Sequence, residues 1–154
     1  MTLTNKLGLL CCAGMLWAVG CQNVTTTVST GELKADNMKM AASKGGEERS
    51  NRTFKKGETV WVSFDIKGFK QADDGNIWVQ EDIDVTAPDG KSILHKDNVL
   101  DFHQKADKGA DNLQANNDIT LPQAAGPGSY AVKISLRDKI GSGTSTVNST
   151  FTEE

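Results

Sequence analysis

The chain has 154 residues, 37% of them hydrophobic and 24% charged, with 17 basic against 20 acidic side chains and a formal net charge of −3. That length and apolar content are enough for one packed domain, so stability does not have to come from cross-links. The charges are few and interspersed, which excludes a surface dedicated to nucleic acid, where Lys and Arg must cluster on one face.

At the start of the chain, Lys6 and the amino terminus give a modest positive charge, and residues 7–19 then form an almost unbroken apolar run. This is the layout of a secretory signal. A permanent span needs roughly 20 apolar residues, and the chain turns polar at Gln22-Asn23, so the run is too short to remain in a bilayer. The run ends in Ala18-Val19-Gly20-Cys21, which resembles the lipobox of bacterial lipoproteins, although the family usually has Leu where Ala18 stands. The resemblance implies a signal peptide over residues 1–20 and acylation of Cys21. Cys11 and Cys12 lie inside the apolar run and leave with the peptide. Because residues 22–154 contain no cysteine, the mature chain has no intrachain disulfide. Each buried methylene of an acyl chain contributes about 0.8 kcal/mol, so the two or three chains typical of the family, palmitate among them, hold a protein durably at a membrane. Gln22 rather than Asp after the cysteine further implies the outer membrane in a two-membrane host.

Residues 21–51 are rich in Thr, Ser, Lys and Gly, and residues 45–51 are wholly polar. They read as a lipidated N-terminus and flexible linker whose reach as a coil is about 30 Å. Val24-Thr25-Thr26-Thr27-Val28, or residues 38–42, are the alternative as a first strand.

From Thr53 the pattern acquires period two. Val60, Val62, Phe64 and Ile66 alternate with Trp61, Ser63, Asp65 and Lys67, which predicts a half-buried strand entered through Lys56-Gly57-Glu58 and left through Gly68 and Asp73-Asp74-Gly75-Asn76. A second strand covers residues 77–86, with Ile77, Val79, Ile83 and Val85 inward. Glu81 falls on that same face. A buried unpaired carboxylate is costly, so a bulge near Glu81 is expected to re-aim the chain, the alternative being a partnered carboxylate at the edge of the core.

Pro88-Asp89-Gly90-Lys91 is a turn that hands the chain to Ser92-Ile93-Leu94-His95 as a hairpin. Residues 96–117 show no sustained period and read as a long irregular segment. Ile119 and Leu121 mark a short strand stopped by Pro122. Gly126-Pro127-Gly128 then opens the clearest strand, with Tyr130, Val132, Ile134 and Leu136 inward. After the turn at Gly141-Ser142-Gly143, a Thr-rich strand over residues 144–152 points Val147 and Phe151 inward. Six or seven strands of this kind suit an all-β fold, a single two-sheet antiparallel sandwich over residues 52–154.

Leu121-Pro122, Pro127-Gly128-Ser129-Tyr130, Val132, Ile134, Leu136, Asp138 and Phe151 together resemble the C-terminal half of bacterial immunoglobulin-like or macroglobulin-like domains. Asp89-Gly90 after Val85 matches the strand-turn-strand segment of that family. The resemblance implies that Tyr130 packs its ring in the core and satisfies its hydroxyl near a corner. It carries architecture and no activity.

No arrangement for nucleophilic catalysis is present: the chain has two histidines, His95 and His103, and no Gly-x-Ser-x-Gly elbow, so no enzyme is expected. The same two histidines lack metal-ligand spacing, and neither a metal nor a cofactor is expected. Asp73, Asp74, Asn76, Glu81, Asp82, Asp84 and Asp89 offer oxygen ligands of the kind calcium uses, but in no recognisable calcium-loop spacing. Trp61 and Trp78 stand opposite the aliphatic rows of their strands, where an aromatic can meet a sugar ring or a partner, and are the candidate binding residues. The expectation is a lipid-anchored envelope lipoprotein with a noncatalytic binding or structural role and an envelope protein partner. A carbohydrate- or calcium-binding module is the alternative.

Overall fold

The structure, a computed structural model, describes residues 24–154. The signal segment and Cys21 lie outside the described residues. Nine strands follow in chain order: β1 (Thr26–Thr30), β2 (Lys34–Ala41), β3 (Thr53–Phe54), β4 (Val60–Lys67), β5 (Asn76–Thr86), β6 (Ser92–Lys105), β7 (Asn112–Ile119), β8 (Gly128–Asp138) and β9 (Thr144–Glu153). Two sheets form. The larger has the order β1-β9-β8-β5-β6, with β3 added beside β9, and the smaller has the order β2-β4-β7. The pairings are antiparallel except for the short β3–β9 contact, which is parallel. This is the expected two-sheet, immunoglobulin-like β-sandwich. Among the described residues no helix is long and apolar enough to cross a membrane.

The period-two strands face as their sequences dictate. β4 buries Val60, Val62, Phe64 and Ile66, β8 buries Tyr130, Val132, Ile134 and Leu136, and β9 buries Val147 and Phe151. Facing rows from the two sheets interdigitate, removing apolar area from water at about 25 cal/mol per Å2. Tyr130 stacks on Phe151 at 5.5 Å between ring centroids, and its hydroxyl donates to the carbonyl of Gly126. The ring therefore fills the core while its polar end is satisfied in the turn.

Three expectations need correction. Residues 21–51 are not a linker over their described part, because β1 and β2 lie there and the folded domain begins well before residue 52. β2 escapes the period-two test because its register shifts between Asp36 and Lys39, with Asn37 at φ 54°. Its buried positions therefore change parity, from Leu33 and Ala35 to Met40. Beyond β2, the polar residues 45–51 are pinned. Arg49 makes a two-pronged bond to Glu58 at 2.6 and 2.7 Å, and the buried Arg52 donates to Ser149 at 2.6 Å and Thr25 at 2.9 Å.

Residues 96–117 are likewise not irregular, since they hold most of β6 and β7. β6 is an edge strand paired to β5 alone, and the residues opposite the buried Ile83 and Ile77 are the exposed Lys96 and Gln104, so the sequence shows no apolar alternation.

The third correction concerns Glu81. A register irregularity does occur beside it, but the extra residues are on β6: Glu81 pairs with Leu100 and Ile83 with Lys96. β5 keeps its alternation without interruption, and Glu81 is fully buried.

Candidate functional site

The two candidate tryptophans stand on different sheets, each on the outward side, so they do not form one site. Trp78 on β5 pairs with His103 on β6, and the two rings stack at 4.5 Å between centroids. Its indole N–H donates to Asp101 at 2.8 Å, and the Lys139 ammonium lies 5.6 Å from the ring centre. With its donor used and His103 and Lys139 against the ring, Trp78 is a packed surface residue with little left to offer a ligand.

Trp61 differs. It sits half-buried in the middle strand of the smaller sheet, opposite Ala41 and Asp118, and its indole has no hydrogen-bond or ring partner among the described residues. Two residues along the same strand and face lies Ser63, one wall of a polar furrow of about 550 Å3 that also includes Asn37, Lys39, Asp65, Gln114 and Asn116. Gly45 and Gly46 overhang it from the segment after β2. Asn37 donates to Asp65 at 2.7 Å and holds that carboxyl below its usual range. The furrow combines amides, a hydroxyl, a fixed carboxylate and an ammonium, and the Trp61 indole stands outside its lining, two residues along β4 from Ser63. Such a surface can form many directed hydrogen bonds and one flat apolar contact, but it has no nucleophile with an attached base. Sequence reading singled out Trp61 and missed the furrow, because its walls come from β2, β4 and β7.

The acidic candidates do not converge, and among the described residues no group of three or more His, Cys, Asp or Glu side chains could hold a metal. Most have another engagement. Asp74 accepts from the backbone and side chain of Asn76. Asp82 is held by both guanidinium nitrogens of Arg137 and by the Asn98 N–H, and Arg137 above all lowers its pKa to about 2. Asp84 meets His95 at 2.5 Å and, ahead of Asp97, raises that imidazole above its ordinary value. Asp89 pairs with Lys91 at 2.8 Å.

Glu81 is separate from all of these, inside the sandwich. Asn117 of β7 donates to its Oε1 at 2.5 Å across the two sheets, while Oε2 has no partner. Burial pushes its carboxyl up to about 7 against the pull of Asn117, with Asp82 adding to the rise.

No protein-family model matches the chain, and no curated protein matches it. Among solved structures, it is similar to a Niemann-Pick type C2 protein from Japanese carpenter ant, with 10% identity and a TM-score of 0.54 over 85% of this chain and 99% of that one. The C-terminal domain of wzt is similar at 11% identity and a TM-score of 0.56, over 84% of this chain and 78% of that one. Part of the Pseudomonas fluorescens alkylpurine DNA glycosylase AlkC matches at 13% identity and a TM-score of 0.52, over 81% of this chain and 31% of that protein. At these identities the likeness is one of fold. It identifies the class as an immunoglobulin-like β-sandwich and carries no activity across.

Proposed function

We propose that the protein is a lipid-anchored cell-envelope lipoprotein, held through Cys21, whose sandwich is a noncatalytic binding module with its binding face on the outer side of β2-β4-β7. The ligand class this face suits best is a glycan. The observation that carries the reading is the unengaged Trp61 beside a furrow of amide, hydroxyl and carboxylate groups. Sugar rings present alternating hydroxyls and a C–H face, which such groups and an indole complement respectively. Retention of the detergent-solubilised protein on immobilised envelope polysaccharide is the test. Trp61→Ala should abolish retention while Trp78→Ala leaves it intact; retention that survives Trp61→Ala contradicts the assignment.

A protein partner is the second reading, favoured by one observation. β1 is an open edge, exposed throughout, and Val28 at 67% and Val24 at 56% are the exposed large hydrophobic side chains among the described residues. An edge of this kind accepts a further strand. A stoichiometric protein recovered from solubilised membranes, and lost on Val28→Lys, supports it over the glycan.

A further inference from the structure

We infer that the sandwich stands on the bilayer by one particular end, the end built from the β5–β6 hairpin and the β7–β8 loop, and that an apolar cleft there sits against the membrane lipid. The inference rests on acylation of Cys21 and adds to it an orientation and a lipid-contacting surface.

The direction of the chain is the first argument. β1 runs antiparallel to β9, with Thr30 opposite Thr144 and Thr26 opposite Asn148, and the Thr25 hydroxyl lies 3.0 Å from that of Ser149. Followed back toward the N-terminus, the chain therefore advances along β9 toward Glu153, which pairs with Gly128 at the start of β8. Val24 borders the same surface as Thr150 and Ala131. The three residues from Val24 back to Cys21 span about 10 Å at full extension, whereas the six from Val24 to Thr30, at the opposite end, already cover about 20 Å. An anchor on Cys21 is thus tethered within about 10 Å of Val24, which lies near the Gly128 end.

That end also carries a mainly apolar cleft. Its volume is about 400 Å3, its walls are chiefly Ala87, Pro88, Ile93, Pro122, Ala125 and Pro127, and Asp89 and Lys91, paired at 2.8 Å, join its lining. Gly128 closes it tightly: a Cβ there would come within 2.6 Å of Pro88. Both ends carry charged loops, with Lys55, Lys56, Asp89, Lys91 and Glu154 at this near end and Asp73, Asp74, Asp107, Lys108 and Asp111 at the far end. The cleft distinguishes the near end, since its proline and alanine side chains lose little by leaving water.

The test uses the full lipidated chain, which offers no cysteine after Cys21, so single labelling sites can be added at Ala124→Cys in the near end and Lys108→Cys in the far end. Each variant, labelled with an environment-sensitive fluorophore, is reconstituted in vesicles of phosphatidylethanolamine and phosphatidylglycerol. The expected result is blue-shifted emission at position 124 with several-fold stronger quenching by lipid-borne quencher than at position 108, which remains in water. Equal water exposure of both labels on vesicle-bound protein overturns the orientation while leaving the anchor standing. Protein that fails to float with the vesicles, with an unmodified Cys21 by mass, overturns the anchor and the orientation with it.

Discussion

Glu81 ties the stability of the fold to pH. Its unfolded-state carboxyl titrates near 4.5 and its folded-state carboxyl near 7, so between these values the folded state holds the proton more tightly than the unfolded one. Stability contributed by the protonated form is complete below about pH 4.5 and is lost as pH rises through 7. The loss amounts to about 3 kcal/mol from this group. Glu81→Gln keeps the acceptor for Asn117 and removes the charge. Urea unfolding should find the variant more stable than wild type at pH 8 and nearly equal at pH 5, and a wild-type stability that does not fall between those values would refute the assignment. The sequence places Glu81 on the apolar face by simple parity. It could not reveal Asn117, which lies 36 positions away on the opposite sheet.

At the scale of elements, the loops at the far end are tied by one buried side chain. Asp138, at the end of β8, accepts from the N–H groups of Ile140 and Gly141 at 2.9 Å each and from that of Lys70 at 2.8 Å. It joins the β8–β9 turn to the β4–β5 connection. Removing the carboxylate strands three donors, so Asp138→Ala should destabilise by about 2–4 kcal/mol and lower the melting temperature on the order of 10 °C. A calorimetric change within a degree or two would show that these bonds are replaceable by water.

Strands with an apolar alternation, β4 and β8 throughout and β5 except at Glu81, were legible from sequence, as were the turns at Asp89-Gly90 and Pro127-Gly128. β1 and β2 were read only as the alternative to a linker, because β1 is an edge that needs no apolar face and β2 shifts register, while β6 was concealed by polar residues, Lys96 and Gln104, that stay exposed opposite Ile83 and Ile77. The irregularity in β6 has a local cause as well. It lets the Asn98 N–H turn onto Asp82, at φ 51°, beside the Arg137 pair. The candidate site was half legible. Trp61 announces itself by breaking the pattern of its strand, but the furrow beside it exists only after three strands are brought side by side.

For the whole molecule, moving the start of the fold back to β1 changes the geometry of attachment. A linker of some thirty residues would let the domain range freely, whereas acylation of Cys21, as proposed, would leave only a few residues between the lipid and Thr26. In the proposed orientation the furrow on β2-β4-β7 would face sideways along the membrane. Placement and reach, and with them the suggested role, depend on the covalent state of one sulfur atom. Mass spectrometry of the protein extracted from cell membranes measures it directly. The account predicts a mature N-terminus at residue 21 bearing acyl groups; an unmodified sulfur on protein recovered in buffer without detergent would contradict it.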